Sequence, residues 1–222
     1  MMYHRRWVGV GLAVVIPALF VATTSLATTR GNAASSTTSA SAPSSRAIWP
    51  VAPTMSGYAS PVAAARGFAV SLLHMRAPVV GPYSSRSATT GVIGVRYAAR
   101  RDVTNVHVER FNGMTGWWVV SATTAQIDLI SPIAFSHVSS PLTLKGTSLA
   151  FEAVVNISLY VDGRRTALLS SSTMGGSTQM APFLVTLHFP NGLHRDGTLV
   201  MYTRSPKDGS TVVATARRLM FK

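Results

Sequence analysis

The sequence predicts a mainly β protein. An antiparallel sandwich fills residues 125–222, a small α+β domain of one helix and a three-stranded antiparallel sheet fills 56–124, and an N-terminal export segment precedes both. Three observations carry this. Apolar and polar residues alternate over short runs throughout the second half of the chain. Asp162-Gly163, Asn191-Gly192 and Asp208-Gly209 punctuate those runs with dipeptides that tolerate positive φ. Helical spacing is confined to a single stretch near residue 65.

The chain opens with Arg5 and Arg6, followed by an uncharged stretch from Trp7 to Thr29 that is strongly apolar from Val8 to Ala22. A positive flank before an apolar run is an export signal, and the arginine pair should stay on the cytoplasmic side. Ser25-Leu-Ala27 and Gly31-Asn-Ala33 both offer small residues for cleavage. Trp7 to Ala27 is also long enough to span a hydrocarbon core of ~30 Å. Residues 1–27 therefore read as a signal peptide or a signal-anchor helix. The expected location is extracytoplasmic, either anchored in the cell membrane or secreted.

Residues 28–55 are rich in Ser, Thr, Ala and Pro, with almost no large apolar residue before Ile48 and Trp49. Such a segment buries too little surface to offset its ordering entropy and reads as a disordered linker. Ser60-Pro61 then starts the folded chain, with Ser at a helix N-cap and Pro in the first turn. Ala65, Phe68, Ala69, Leu72 and Leu73 recur at helical spacing to about Met75, and Ala77-Pro78 ends the element. That stripe reads as a core-facing helix surface.

Strands are expected at 91–97, 105–111 and 116–122, with Asn112-Gly113 in a hairpin connection. In the second of these, Val106 and Val108 alternate with His107 and Glu109, which leaves one face wet. Seven further strands are expected at 126–131, 141–148, 152–161, 165–171, 182–189, 198–204 and 211–221. Their spacing and turns match a sandwich. Ala153, Val155, Ile157, Leu159 and Val161 face one way, with Asn156 and Ser158 the other, and Phe183, Val185, Leu187 and Phe189 do the same on another strand against Thr186 and His188.

The chemistry that the chain lacks narrows its function. No cysteine is present, which removes disulfides, thiolate catalysis and thiolate metal sites together. Neither glycine-rich phosphate loop occurs, nor does the Gly-x-Ser-x-Gly nucleophile elbow. Of the acids, Asp162, Asp196 and Asp208 each precede a glycine and read as turn residues. The rest propose no carboxylate pair at the ~5–10 Å that glycoside hydrolysis needs. His107 and Glu109 lie two apart on one strand face, but a zinc site takes three or four ligands. No catalytic, cofactor-binding or metal-ligating set is therefore expected. The contact candidates are Trp117, Trp118, His107 and Glu109. Neighbouring strand residues face opposite sides, so one tryptophan belongs to the core; the other is either exposed as a platform for a sugar ring or a partner, or covered by the neighbouring domain or a loop.

Lys and Arg number 20 against 7 Asp and Glu, giving a net charge of +13. The charge is spread, with no basic tail. It favours an anionic surface such as a wall polymer; without a basic patch, nucleic acid is not expected as a partner.

Five blocks in the C-terminal region carry a family resemblance. They are Ile127-Asp-Leu-Ile-Ser-Pro132, Val138-Ser-Ser-Pro-Leu-Thr-Leu-Lys-Gly146, Ala150-Phe-Glu152, Ala181-Pro-Phe183 and Ser205-Pro-Lys-Asp-Gly-Ser210. Together they resemble the immunoglobulin-like domain of bacterial spore germination. The resemblance implies an Ig-like β-sandwich in an exported or membrane-anchored bacterial protein, and it transfers no catalytic residue. Phe151 is expected in the core at a strand boundary, and Glu152 is expected to accept from nearby backbone donors.

The expected function is that of a non-enzymatic extracytoplasmic envelope protein. Its Ig-like module would bind anionic cell-wall polymer or another envelope protein, with membrane contact through the N-terminal segment if that stays uncleaved. The alternative is an envelope enzyme or accessory subunit whose cleft lies between the two domains, lined by His107, Glu109 and Trp117.

Overall fold

The computed structural model describes residues 45–50, 56–98, 100–164 and 166–222. The export segment and most of the linker lie outside the described residues. Among those described, no helix is long and apolar enough to cross a membrane.

The one α-helix among the described residues, α1 (Pro61–Gly67), begins where Ser60 Oγ accepts from the Ala63 amide at 3.1 Å, with Pro61 in the first turn. It passes directly into a π-helical turn, Phe68–Leu72, in which the Leu73 amide donates to the Phe68 carbonyl. The expected stripe of Ala65, Phe68, Ala69, Leu72 and Leu73 is buried. Tyr58 packs so closely on α1 that a Cβ on Gly67 would stand 2.3 Å from its hydroxyl.

This helix lies on a meander of four strands, β1 (Pro78–Ser85), β2 (Thr90–Tyr97), β3 (Thr104–Glu109) and β4 (Trp118–Thr124). The sequence reading expected three. Pro78, Gly81 and Pro82 disguise β1, and the strand tolerates them because it runs along the sheet edge with a register shift between Val80 and Tyr83. On β3, Val106 and Val108 are buried toward the helix while Asn105 and His107 take the opposite face. Ile48 and Trp49 also join this sheet. The Ile48 amide donates to the Val119 carbonyl, and the Val119 amide donates to that of Trp49, both at 2.8 Å. Ala47 and Ile48 are fully buried there, within the span assigned to the linker.

The second half contributes β5 (Ile127–Ser131), β6 (His137–Val138), β7 (Leu142–Ser148), β8 (Val154–Val161), β9 (Leu169–Met174), β10 (Ala181–Leu187), β11 (Asp196–Arg204) and β12 (Thr211–Phe221). The seven expected strands all appear, within a few residues at their ends; β6 is a two-residue addition that runs parallel to β12. The rest of the pairing between these strands is antiparallel.

The strands follow one path, β1-β2-β3-β4-β12-β11-β8-β9, with β5, β7 and β10 forming a second layer. Leu129, Leu144, Ile157, Leu159, Phe183, Leu199 and Leu219 fill the space between the layers. On the other face of the long sheet, Val200, Ala214 and Ala216 belong to the core beneath α1. Strand β12 is thus covered on both sides, and its run Thr-Val-Val-Ala-Thr-Ala is buried at every residue. A strand buried on both faces loses the alternation that marks a half-wet one. The last strand joins the two halves, pairing with β4 at Ala216–Ala122 and with β11 along most of its length.

Gly116 makes the connection before β4 possible. It holds φ at +109°, and a Cβ there would lie 2.6 Å from the Gly57 carbonyl carbon. Gly116→Ala is expected to destabilise the fold by about 2–3 kcal/mol, from strained backbone and forced separation of the two segments. Thermal unfolding checks this; a loss under about 0.5 kcal/mol would mean that the approach relaxes freely.

Candidate functional site

The four predicted contact residues occupy two different surroundings, and none is an open platform. Trp117 is 6% exposed on the helix side, with its ring edge-on to Tyr83 at 5.5 Å and the Arg110 guanidinium 4.9 Å above it. Trp118 is 1% exposed on the other face, where it packs on Phe111 at 5.4 Å and on Ala47. The expected opposite orientation holds, and of the two alternatives the covered one is observed: the helix side closes over the first ring, and Ala47, contributed from beyond the strand pattern, closes over the second.

His107 is half-buried, with Nε2 3.2 Å from Thr123 Oγ1. Burial holds its pKa below the usual imidazole value, and the Arg86 charge adds to the effect. Glu109 pairs with Arg46 at 3.0 Å. The two share a strand face but serve separate partners. Among the described residues no group of three His, Cys, Asp or Glu converges as a metal site.

A cleft of about 490 Å³ does lie between the two halves, with other walls than the sequence proposed. Arg100 and Asp102 come from the β2–β3 loop, Gln126 from the β4–β5 turn, Phe151 from the loop before β8, and Thr178 and Arg204 from the far side. His107, Glu109 and Trp117 do not line it. Gln126 Nε2 donates to Asp102 Oδ1 at 2.7 Å and so ties one wall to the other.

The β11–β12 hairpin forms the floor. Its Ser205-Pro-Lys-Asp-Gly-Ser210 turn closes on itself through Ser205 and Ser210, then docks onto the first half. Tyr97 OH donates to Asp208 Oδ2 at 2.9 Å, and the Arg76 amide donates to Ser210 Oγ at 2.8 Å. The Asp208 carboxyl sits below its usual range. Desolvation opposes its ionisation but is outweighed by hydrogen bonds from the Ser210 amide and the Tyr97 and Ser205 hydroxyls, with the Arg76 charge behind them. Asp208 is a turn residue, as expected, and also the anchor between the halves.

Phe151 corrects another expectation. It is 62% exposed at the rim of the cleft rather than in the core. Glu152, also exposed, holds φ at +54°, and Ala153 follows at +62°. No described hydrogen bond reaches the Glu152 carboxylate. Two consecutive non-glycine residues in the left-handed region cost on the order of 1–3 kcal/mol each, and such strain gathers where a structure holds a side chain for use. The backbone turn, not burial, aims this ring.

A smaller recess of about 210 Å³ opens on the opposite side of Arg204, between the π-helical turn and the sheet. Leu73, His74, Tyr160 and Tyr202 line it. The Arg204 guanidinium lies 5.3 Å from the Tyr202 ring centre, and its Nη2 donates to the Tyr202 hydroxyl. Burial raises the Tyr160 pKa, so its phenol stays neutral.

Sequence reasoning missed one further cluster. Arg218, 1% exposed in β12, pairs with Asp162 through both Nη atoms and with Asp196 at 3.5 Å. Burial lifts the Asp162 pKa, and the guanidinium pulls it back only in part. The available signal was Arg217-Arg218 interrupting an otherwise apolar strand. Both acids read as turn residues because each stands before a glycine.

Residues 126–210 match the family model described as the immunoglobulin-like domain of bacterial spore germination. The match runs from the β4–β5 turn to the tip of the β11–β12 hairpin and leaves β12 outside. No curated protein and no solved structure matches this chain.

Proposed function

We propose that this protein is a non-enzymatic, extracytoplasmic component of the bacterial envelope whose Ig-like module engages anionic cell-wall polymer. The observation that carries the reading is the cleft between the halves, where arginines from both sides meet hydroxyls and an exposed aromatic ring. Asp102 is the one carboxylate among its lining residues and is already held by Gln126; no histidine accompanies it. The +13 net charge draws the chain to polyanions. Arg5-Arg6 before an apolar run supports export, with membrane attachment if that segment is retained.

The full chain is expected to be retained on isolated bacterial cell wall at low salt. It should be released as ionic strength approaches 1 M, where the Debye length falls to ~3 Å. No retention at low salt would sink the reading. Retention that survives at high salt would replace an anionic polymer with an apolar partner, such as another envelope protein.

A further inference from the structure

We propose that the cleft is a site for an acidic saccharide, in which a pyranose ring stacks on Phe151 while its anionic substituent is held by Arg100 and Arg204. This rests on the reading above and names the ligand chemistry and the residues behind it.

The strained turn is the first argument. Glu152 and Ala153 both adopt left-handed backbone without being glycine, and the result is a phenyl ring standing in solvent at a cleft mouth. A core role would not need that arrangement, whereas a ring presented to the apolar face of a sugar does. Size is the second. The cleft holds about 490 Å³, inside the ~300–1,000 Å³ of small-ligand sites.

Charge is the third. Arg100 makes no ion pair among the described residues, and Arg204 spends only part of its donor set on Tyr202 and Gly209. A planar guanidinium pairs with a carboxylate or phosphate through two donors at once. Hydroxyl recognition is the fourth. Thr178 and Ser177 line the far wall, and Asp102 keeps an oxygen beyond the one that accepts from Gln126. A sugar presents the hydroxyls that such groups bind.

The test uses the full chain with three soluble probes, measured by titration calorimetry at low salt. N-acetylglucosaminyl-N-acetylmuramic acid carries rings and a carboxylate, chitobiose carries rings alone, and a glycerol phosphate oligomer carries charge alone. The acidic disaccharide is expected to bind at least about tenfold more tightly than either of the others. Phe151→Ala and Arg100→Ala should each weaken it about tenfold with no change in melting temperature, since both changes lie at the surface. Met174→Ser, exposed but outside the cleft, should bind like the parent.

Equal binding by Phe151→Ala, or chitobiose equal to the acidic disaccharide, would overturn the proposal. So would loss of cell-wall retention in Met174→Ser, which would mark an apolar protein-docking rim instead. If the parent is retained on cell wall but ignores the disaccharide, the cleft assignment fails while the polymer reading stands. If it is not retained at all, the polymer reading fails as well.

Discussion

Trp118→Ala is expected to lower the unfolding free energy by about 3–5 kcal/mol, the range for truncating a buried aromatic to alanine. The ring is 1% exposed and fills a small cluster with Ala47 and Phe111, flanked by Met114 and Val120. A Cβ on Gly57 would already press on its Cδ2 at 2.9 Å, so the packing is tight. Against a typical total of ~5–15 kcal/mol, the loss would take a large share of the stability. Urea unfolding followed by circular dichroism measures it. Cell-wall retention per folded molecule should be unchanged, because the ring is closed off from ligand. A loss under about 1 kcal/mol would show that the cluster is marginal.

Arg218→Leu should cost about 3 kcal/mol near neutral pH, because it strands two carboxylates that were paired with a buried cation. Their side chains are 20% and 29% exposed, so some hydration remains and the loss falls at the low end of the usual range. The pH dependence separates a lost charge pair from a lost packing contact. Burial holds the folded-state pKa of Asp162 above its usual value, even with Arg218 pulling it down. Between the usual value and the raised one, the native state keeps a proton that the unfolded chain has released. Stability therefore falls as pH rises through that window. Without Arg218 the folded pKa climbs further, and the fall becomes longer and deeper. The gap between parent and Arg218→Leu should be small below the aspartate range and widen toward neutrality. A gap as large at about pH 3 as at about pH 7 would refute the ion-pair account.

Local physics was legible in the sequence wherever it decided the structure. Ser60-Pro61 capped the helix, and the alternation in Val155 to Val161 and in Phe183 to Leu187 assigned buried faces correctly. Prediction failed where the deciding contact came from far along the chain. Whether Trp118 is exposed depends on Ala47, some seventy residues earlier. Pro78 and Pro82 hid β1 because only its place at the sheet edge makes them tolerable. Phe151 looked like a core residue because its hydrophobicity was visible and the left-handed turn after it was not. The cleft walls span residues 100 to 213, a set that no spacing rule assembles.

The position of β12 bears on how the chain acquires its structure in time. The strand that seals β4 to β11 is made of residues 211–221, so it emerges after every strand that it must join. Until it arrives, β11 presents an unpaired edge and β4 is covered on that side only in part, where Ile48 and Trp49 meet Val119, the condition that invites wrong pairing between chains. Closure also demands contacts across roughly a hundred residues, which slows the search for the native arrangement. Vectorial synthesis thus gives this protein no finished first half to build upon. The nascent chain must be kept apart from its neighbours until its central strand is in place.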